Sequence, residues 1–299
     1  MTLTKHWRAV MPDIGLVTCQ NIPEPDADED IQLEAIRAAG ANAELVAWDD
    51  PDQDLSKYDI VVLRSCWNYP WKEQEFREWV NKTESTTRIF NDPEVVRWNV
   101  HKGYLLDLEK AGVPIVPTRV VSGDQPHAQL DTLLESNFGE LSESRFVLKP
   151  AVSAGSWLTY FFDKADPADA HNFIEKEGAQ RDWLLQPYMK SVDEDGERAN
   201  VFIGGVWSHC VVKSPRFVGQ EESVEIGGTV LPEDRQLGNL AMACAPGEVL
   251  YGRVDTVRDE TGRPLVAELE LIEPSLFLLQ YPSARTLFGE SCVKACLNT

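Results

Sequence analysis

The chain has 299 residues, 43% of them apolar and 26% charged, which supplies enough apolar side chain for packed cores and rules out wholesale disorder. Its 49 acidic against 28 basic residues leave a net charge of −21, which excludes nucleic acid and membrane surfaces as general partners, because both are polyanions. No apolar run reaches the roughly 18 residues of a membrane span, and the six scattered cysteines lack the paired spacing or histidine cluster of a zinc site, which points to reduced thiols in the cytoplasm.

Residues 1–11 carry Lys5, His6 and Arg8 but no apolar core, and read as a loose extension rather than a signal peptide. Residues 13–19 read as a buried strand, followed by a Pro-rich turn and a helix over 28–39 that ends at Gly40. Strands follow at 43–48 and 59–64, so strand, helix and strand with short links predict a parallel sheet with helices packed on it. The third strand runs into Arg64-Ser65-Cys66-Trp67-Asn68-Tyr69. Ligands sit at the carboxyl ends of such strands, so Arg64 is a candidate clamp for a substrate carboxylate, with Ser65 and Tyr69 as polar partners.

A helix over 71–80 follows, and Ile89-Phe90-Asn91-Asp92-Pro93 ends the first module. The stretch from Trp98 leads through Lys102 into a helix ending at Ala111, and 113–118 is an extended link. A helix over 129–136 then precedes Phe146-Val147-Leu148-Lys149-Pro150, an apolar strand with a lysine at its end and a run of small residues, 151–156, behind it. Small residues let backbone N–H groups approach an anion, and the lysine supplies a point charge. Alone this is a weak phosphate signal, balanced by a buried strand running into a turn. The expected partner strand spans 158–162, a helix spans 169–176, and 183–186 is another apolar strand, cut off by Pro187.

Gly204-Gly205 joins two strands, 200–203 and 206–213, in a hairpin. A Gly- and Glu-rich loop, 219–229, precedes a helix over 233–244, and strands at 248–257 and 265–272 follow. Asp255 sits in the first of these. Glu268 and Glu270 share one face of the second by strand alternation, and Glu273 follows them. Read without other information, these acids are a solvated strand pair.

The ordered set of a strand-end lysine, a small-residue loop, an interrupted apolar strand and late acids resembles the ATP-grasp superfamily. Within it, residues 64–69, 149–155, 197–213 and Glu268-Leu269-Glu270-Leu271-Ile272-Glu273-Pro274-Ser275-Leu276-Phe277-Leu278 closely resemble the branch containing the ring-closing O-ureido-serine ligase of cycloserine biosynthesis. Cys66, Asn68, Trp157 and Leu158 depart from that branch.

The resemblance implies an α/β (α+β) ATP-grasp fold of three parts: a parallel-sheet module over 1–98, a central subdomain over 99–186 and a C-terminal one over 187–299. It implies that Lys102 and Lys149 bind ATP phosphates under a loop containing Ser153, Gly155 and Ser156. Gln186, Pro187, Tyr188 and Met189 would meet adenine, and Glu194 or Glu197 the ribose. Lys213 and Arg253 would stabilise the transferring phosphate. Asp255, Glu268, Glu270 and, fourth in rank, Glu273 would hold Mg2+, with Mn2+ as the alternative. The implied activity joins a carboxylate to an amine through an acyl phosphate on a small amino-acid-like substrate. Such a reaction needs no side-chain nucleophile, in keeping with the lack of a Ser/His/Asp or Cys/His arrangement. The alternatives are a non-catalytic nucleotide binder and a kinase-like phosphotransferase on a related fold. A homodimer stays open.

Overall fold

The computed structural model describes residues 11–136, 144–214, 224–226 and 231–298. The N-terminal extension, except Met11, and the 219–229 loop, except a strand at 224–226, fall outside the described residues.

The first sheet is parallel, in the order β2-β1-β3-β4, built from β1 (Asp13–Thr18), β2 (Asn42–Ala47), β3 (Ile60–Leu63) and β4 (Arg88–Phe90). Each of the four residues of β3, Ile-Val-Val-Leu, is buried, as the centre of a sheet covered on both faces requires. Helices α1 (Glu29–Ala38) and α2 (Glu73–Thr83) flank this sheet. The helix expected to end at Ala111 is α4 (Tyr104–Lys110), and a second short helix, α3 (Pro93–Asn99), precedes Lys102. Asp92 starts α3 early by accepting the Glu94 N–H at 2.8 Å, and Lys102 breaks the run by donating its own N–H to Ala151 O at 2.7 Å.

The central sheet is antiparallel, in the order β5-β8-β6-β7: β5 (Arg119–Val121), β6 (Arg145–Pro150), β7 (Tyr160–Asp163) and β8 (Trp183–Pro187). Its core of Phe146, Leu148, Trp183 and Leu185 packs on α5 (Pro126–Glu135) and α6 (Pro167–Glu177). Strand β5 was not expected, because three residues after a Pro-rich link carry too little pattern. Pro187 does not stop the pairing either: it lies opposite Phe146, and Tyr188 still donates to Arg145 O at 2.9 Å.

After the one-turn-scale α7 (Ser191–Asp195), the third sheet runs β11-β10-β9-β12-β13. It comprises β9 (Glu197–Ile203), β10 (Val206–Lys213), β11 (Val224–Ile226), β12 (Tyr251–Arg258) and β13 (Pro264–Glu270), backed by α8 (Pro232–Met242). The hairpin turn takes positive φ at both Gly204 (62°) and Gly205 (78°), the geometry only glycine adopts without strain. Register shifts between Asp255 and Thr256, which leaves Ala267 as an extra residue on β13. Such a bulge re-aims the side chains beside it, here Glu268.

The free edge of β13 is sealed by side chains and a bridge. Val116 N–H and Pro114 O pair with Val266, Tyr104 Oη accepts from Leu269 N at 3.0 Å, and Asn99 bonds both Leu269 O and Leu271 N at 2.8 Å. A final helix, α9 (Ala284–Leu297), was not foreseen. It returns to the first sheet and crosses α1 where a Cβ on Gly289 would lie 2.1 Å from Ala35 O. Its Phe288, Cys292 and Ala295 share a core with Ile14, Leu16 and Ile60.

Asn91 ties the first sheet to the third. Fully buried, it donates to Tyr251 O and Leu271 O at 2.8 and 2.6 Å and accepts from Leu250 N at 2.6 Å. Asn91→Ala leaves these buried backbone groups unpaired, so unfolding free energy should fall by about 3 kcal/mol. Urea midpoints measure this, and an unchanged midpoint would remove Asn91 from the junction.

Candidate active site

Five strands and one connecting turn bring four cations against four carboxylates. On β12 and β13, Arg253 lies opposite Glu270 and Asp255 opposite Glu268, all on one face. Glu268 is gripped from both sides: Lys102 Nζ reaches Oε2 at 2.8 Å and Lys149 Nζ reaches Oε1 at 2.5 Å. Lys102 comes from the turn between α3 and α4, and Lys149 from the end of β6, so this one carboxylate joins three separate parts of the chain.

The second half of the array centres on Asp255. Arg253 bonds it with Nε and Nη2 at 2.8 Å each and reaches Glu270 at 2.6 Å. Lys213, from the end of β10, bonds Asp255 and Glu197 at 2.6 Å each. Burial opposes the charge on Lys102 and Lys213, but Glu268 on the first and Asp255 with Glu197 on the second raise both. Burial likewise works against Asp255 and Glu268, yet the paired cations hold both carboxyls well below the usual carboxylate range. Glu197 is pushed up to about 7 by burial and by the Asp255 carboxylate, against the pull of Lys213. Glu270 is raised by burial and by its acidic neighbours.

Glu273 stands apart from these ion pairs. Burial, then the charge of Glu270, pushes it up to about 8, with Tyr69 as its side-chain hydrogen-bond partner. The segment that carries it is irregular, yet eight consecutive carbonyls are bonded. Leu271 O accepts from Asn91, Ile272 O from Tyr251, Glu273 O from Trp67 and Pro274 O from Arg64. Ser275 O accepts from Arg253, Leu276 O from His209, Phe277 O from Tyr281 N and Leu278 O from Arg285. The Asp28 carboxylate accepts the N–H groups of Leu278 and Leu279. Phe277 at φ 53° is compatible with no sheet ladder, so side chains replace one.

At Arg64, the candidate carboxylate clamp, the guanidinium is engaged within the protein. It is 3% exposed, lies 4.6 Å over the Tyr251 ring, and engages Gln32 Oε1 at 2.7 Å, Leu63 O at 3.5 Å and Pro274 O. Ser65 Oγ donates to Asp26 at 2.9 Å, and Tyr69 is buried on Phe76. All three border the segment around Glu273 without presenting a free fork.

Of the remaining candidates, Ser153 donates to Pro150 O at 3.1 Å, while Gly155 and Ser156 turn the loop with φ of 58° and 60°. Gln186 is buried on the Lys149 side of the sheet and donates to Thr118 at 2.8 Å. Met189 packs with Val116, Val257, Leu265 and Ala267 in an apolar floor beside the acids. Tyr188 is held by Asp193 at 2.6 Å. Glu197 is in the array, whereas Glu194 is exposed on α7. Asn91, Asn99, Tyr104, Trp67 and Tyr251 were not expected as site supports, because buried amides and aromatic rings carry no sequence pattern of their own. No set of three or more His, Cys, Asp or Glu among the described residues is arranged to hold a metal; Asp255, Glu268 and Glu270 are paired with cations, and Glu273 lies apart from them.

Comparison with known proteins agrees with this geometry. Residues 14–91 match the family model of the N-terminal domain of the D-cycloserine synthetase DcsG. The chain is 32% identical over 270 residues to the cycloserine biosynthesis protein DcsG of Streptomyces lavendulae, covering 85% of this chain and 88% of that one. It superposes on the crystal structure of D-cycloserine synthetase DcsG with a TM-score of 0.87 at 28% identity, over 95% and 99% of the two chains. An ATP-grasp RimK domain protein from Sphaerobacter thermophilus (TM-score 0.67, 15% identity, 94% and 98% covered) and the D-alanine–D-alanine ligase of Bacillus anthracis (0.65, 12%, 97% and 97%) share the fold.

His209 offers a pH test of the segment beside the array. It is 1% exposed, stacked on Tyr281, and burial depresses it to about 4 against the weaker upward pull of Leu276 O. A depressed histidine favours the fold above its unfolded value near 6.5, and that contribution is lost as pH falls toward 4. The loss should amount to as much as about 3 kcal/mol. His209→Gln keeps an amide donor for Leu276 O without titrating, so urea midpoints at pH 7.5 and 4.5 should differ less in the variant. An equal difference would assign the acid sensitivity to other groups.

Proposed function

The chain belongs to the ATP-grasp ligases, on the cycloserine synthetase branch, and from that premise we propose that it uses ATP to activate a carboxylate as an acyl phosphate and joins it to a nitrogen of a small amino-acid-like substrate. The observation that carries this reading is Glu268 held between Lys102 and Lys149, opposite Arg253, Asp255 and Lys213.

Phosphoryl transfer depends on positioning and charge neutralisation. Lys102 and Lys149 are fitted to a polyphosphate and Lys213 with Arg253 to the phosphoryl group in transit. Backbone at 186–189 and the Met189 floor are fitted to adenine, and Glu197 is better placed for the ribose than Glu194. The oxygen-only donors Asp255, Glu268 and Glu270 suit a hard divalent cation, and nucleotide phosphates offer the lysines new partners that would free these acids. Mg2+ bound there would neutralise phosphate charge. Arg64 and Trp67 would then act on the acceptor through the Pro274 and Glu273 carbonyls they hold, and Tyr69 through the Glu273 carboxyl, with Ser65 tied to Asp26 beside them.

An intramolecular version, with carboxylate and nitrogen on one molecule, gives ring closure of the O-ureido-serine type. Membership of a ligase branch favours this enzyme reading over a silent nucleotide binder or a phosphotransferase.

The experiment is ADP release across amino acids, O-ureido-serine and hydroxamate analogues, with products weighed by mass spectrometry. A phosphorylated product, or ADP release without C–N bond formation on every acid, would reject the ligase chemistry. Lys149→Ala should weaken MgATP binding by about 1.5–3 kcal/mol, the range for a charge-assisted contact. Calorimetry returning wild-type affinity in a folded variant would reject the phosphate assignment. Glu270→Gln keeps the shape and loses the charge, so turnover should collapse while the fold persists; retained turnover at ordinary magnesium would make that strand structural.

A further inference from the structure

The central sheet carries a second cluster, on the opposite side from Lys149, that the ligase chemistry does not use. Helix α5 bears His127 and Asp131, and α6 bears His171 and Glu175, each pair four residues apart and therefore on one helical face. The contacts cross between the helices. His127 Nε2 lies 3.4 Å from Glu175 Oε2, and His171 Nε2 lies 2.8 Å from Asp131 Oδ1. The two Nδ1 atoms meet at 2.7 Å, with ring centroids 4.9 Å apart.

An ionised carboxylate only accepts hydrogen bonds, so each one selects the Nε2–H form of the ring it faces. Both Nδ1 lone pairs then point at each other. At 2.7 Å that is repulsive unless one ring carries a second proton, as an Nδ1–H donor, or a metal ion takes the proton's place. A carboxylate behind each imidazole is also the orientation that raises ligand basicity in metal sites.

We propose that His127 and His171 form a two-histidine site for a late first-row divalent metal such as Cu2+ or Zn2+, bound through both Nδ1 atoms. Asp131 and Glu175 orient the rings and water completes the coordination. Metal–nitrogen bonds of about 2.0–2.1 Å place two cis ligating nitrogens roughly 3 Å apart with the metal off the line joining them, so the rings must part by a few tenths of an ångström and turn until both lone pairs converge on the ion. Their side chains are 44% and 22% exposed, which leaves them room and leaves the metal an entry. Only two side chains reach the ion, in keeping with the lack of any three-ligand group among the described residues. Bound metal would staple α5 to α6 and stiffen the subdomain that carries Lys149.

The test is Cu2+ titration of the tag-free full chain at pH 7.5 with excess Mg2+ covering the acidic cleft, read by electron paramagnetic resonance. One Cu2+ per chain with two-nitrogen hyperfine structure is expected, together with a raised melting temperature. The signal should disappear in the His127→Ala/His171→Ala double variant, whose metal-free melting temperature and ADP release should stay near wild type. Asp131→Asn should weaken binding about 10-fold or more. Lowering the pH to 5.5 should weaken it too, because protons compete for the nitrogens. Oxygen-only coordination in the wild type, or an unchanged spectrum in the double variant, would overturn the proposal.

Discussion

The charge opposition at Glu268 sets the geometry on which the rest of the cleft depends. Three buried or half-buried groups from distant parts of the chain, Lys102, Lys149 and Glu268, meet at hydrogen-bond distance. None of them could be taken out of water alone, because an unpaired buried charge costs several kcal/mol. The same holds for Lys213 and Arg253 against Asp255, Glu197 and Glu270. An acidic protein of net charge −21 thereby keeps a local store of cations, each paired with a carboxylate.

For that array to stay in place, β13 must not slip. A one-residue slip would turn Glu268 and Glu270 away from the cleft. The bulge at Ala267 and the bonds from Asn99, Tyr104, Pro114 and Val116 to the outer edge hold the register. They also leave no free edge there to pair with another chain.

Beyond β13 the backbone loses its ladder, and the residues nearest the first module take over. Trp67 and Arg64 from the carboxyl end of β3 bond the Glu273 and Pro274 carbonyls, while Asp28 takes the next free N–H groups. The first module thus contributes to the cleft by shaping an irregular segment more than by lining it with free side chains. The Arg64 guanidinium shows why a strand-end arginine is ambiguous: a fork that fits a carboxylate fits backbone carbonyls equally well.

Much of this was legible from the sequence. Alternation placed Glu268 and Glu270 on one face, the Gly204-Gly205 pair marked its hairpin, and apolar runs marked β1, β3, β6 and β8, because each signal is local and repeats along the chain. Lys149 at the end of β6 needed only its strand to be placed. The tertiary structure alone decided the rest. It put Lys102 in a break between helices, because its N–H bonds Ala151 across the fold. It turned Arg64 inward to Pro274 and brought α9 back onto α1, contacts between residues hundreds of positions apart. It made supports of Asn91, Asn99 and Tyr251, whose single buried side chains satisfy backbone groups of other elements. Local pattern reports which way a side chain faces, whereas the partner it meets depends on how the sheets come together, and no periodicity along the chain encodes that.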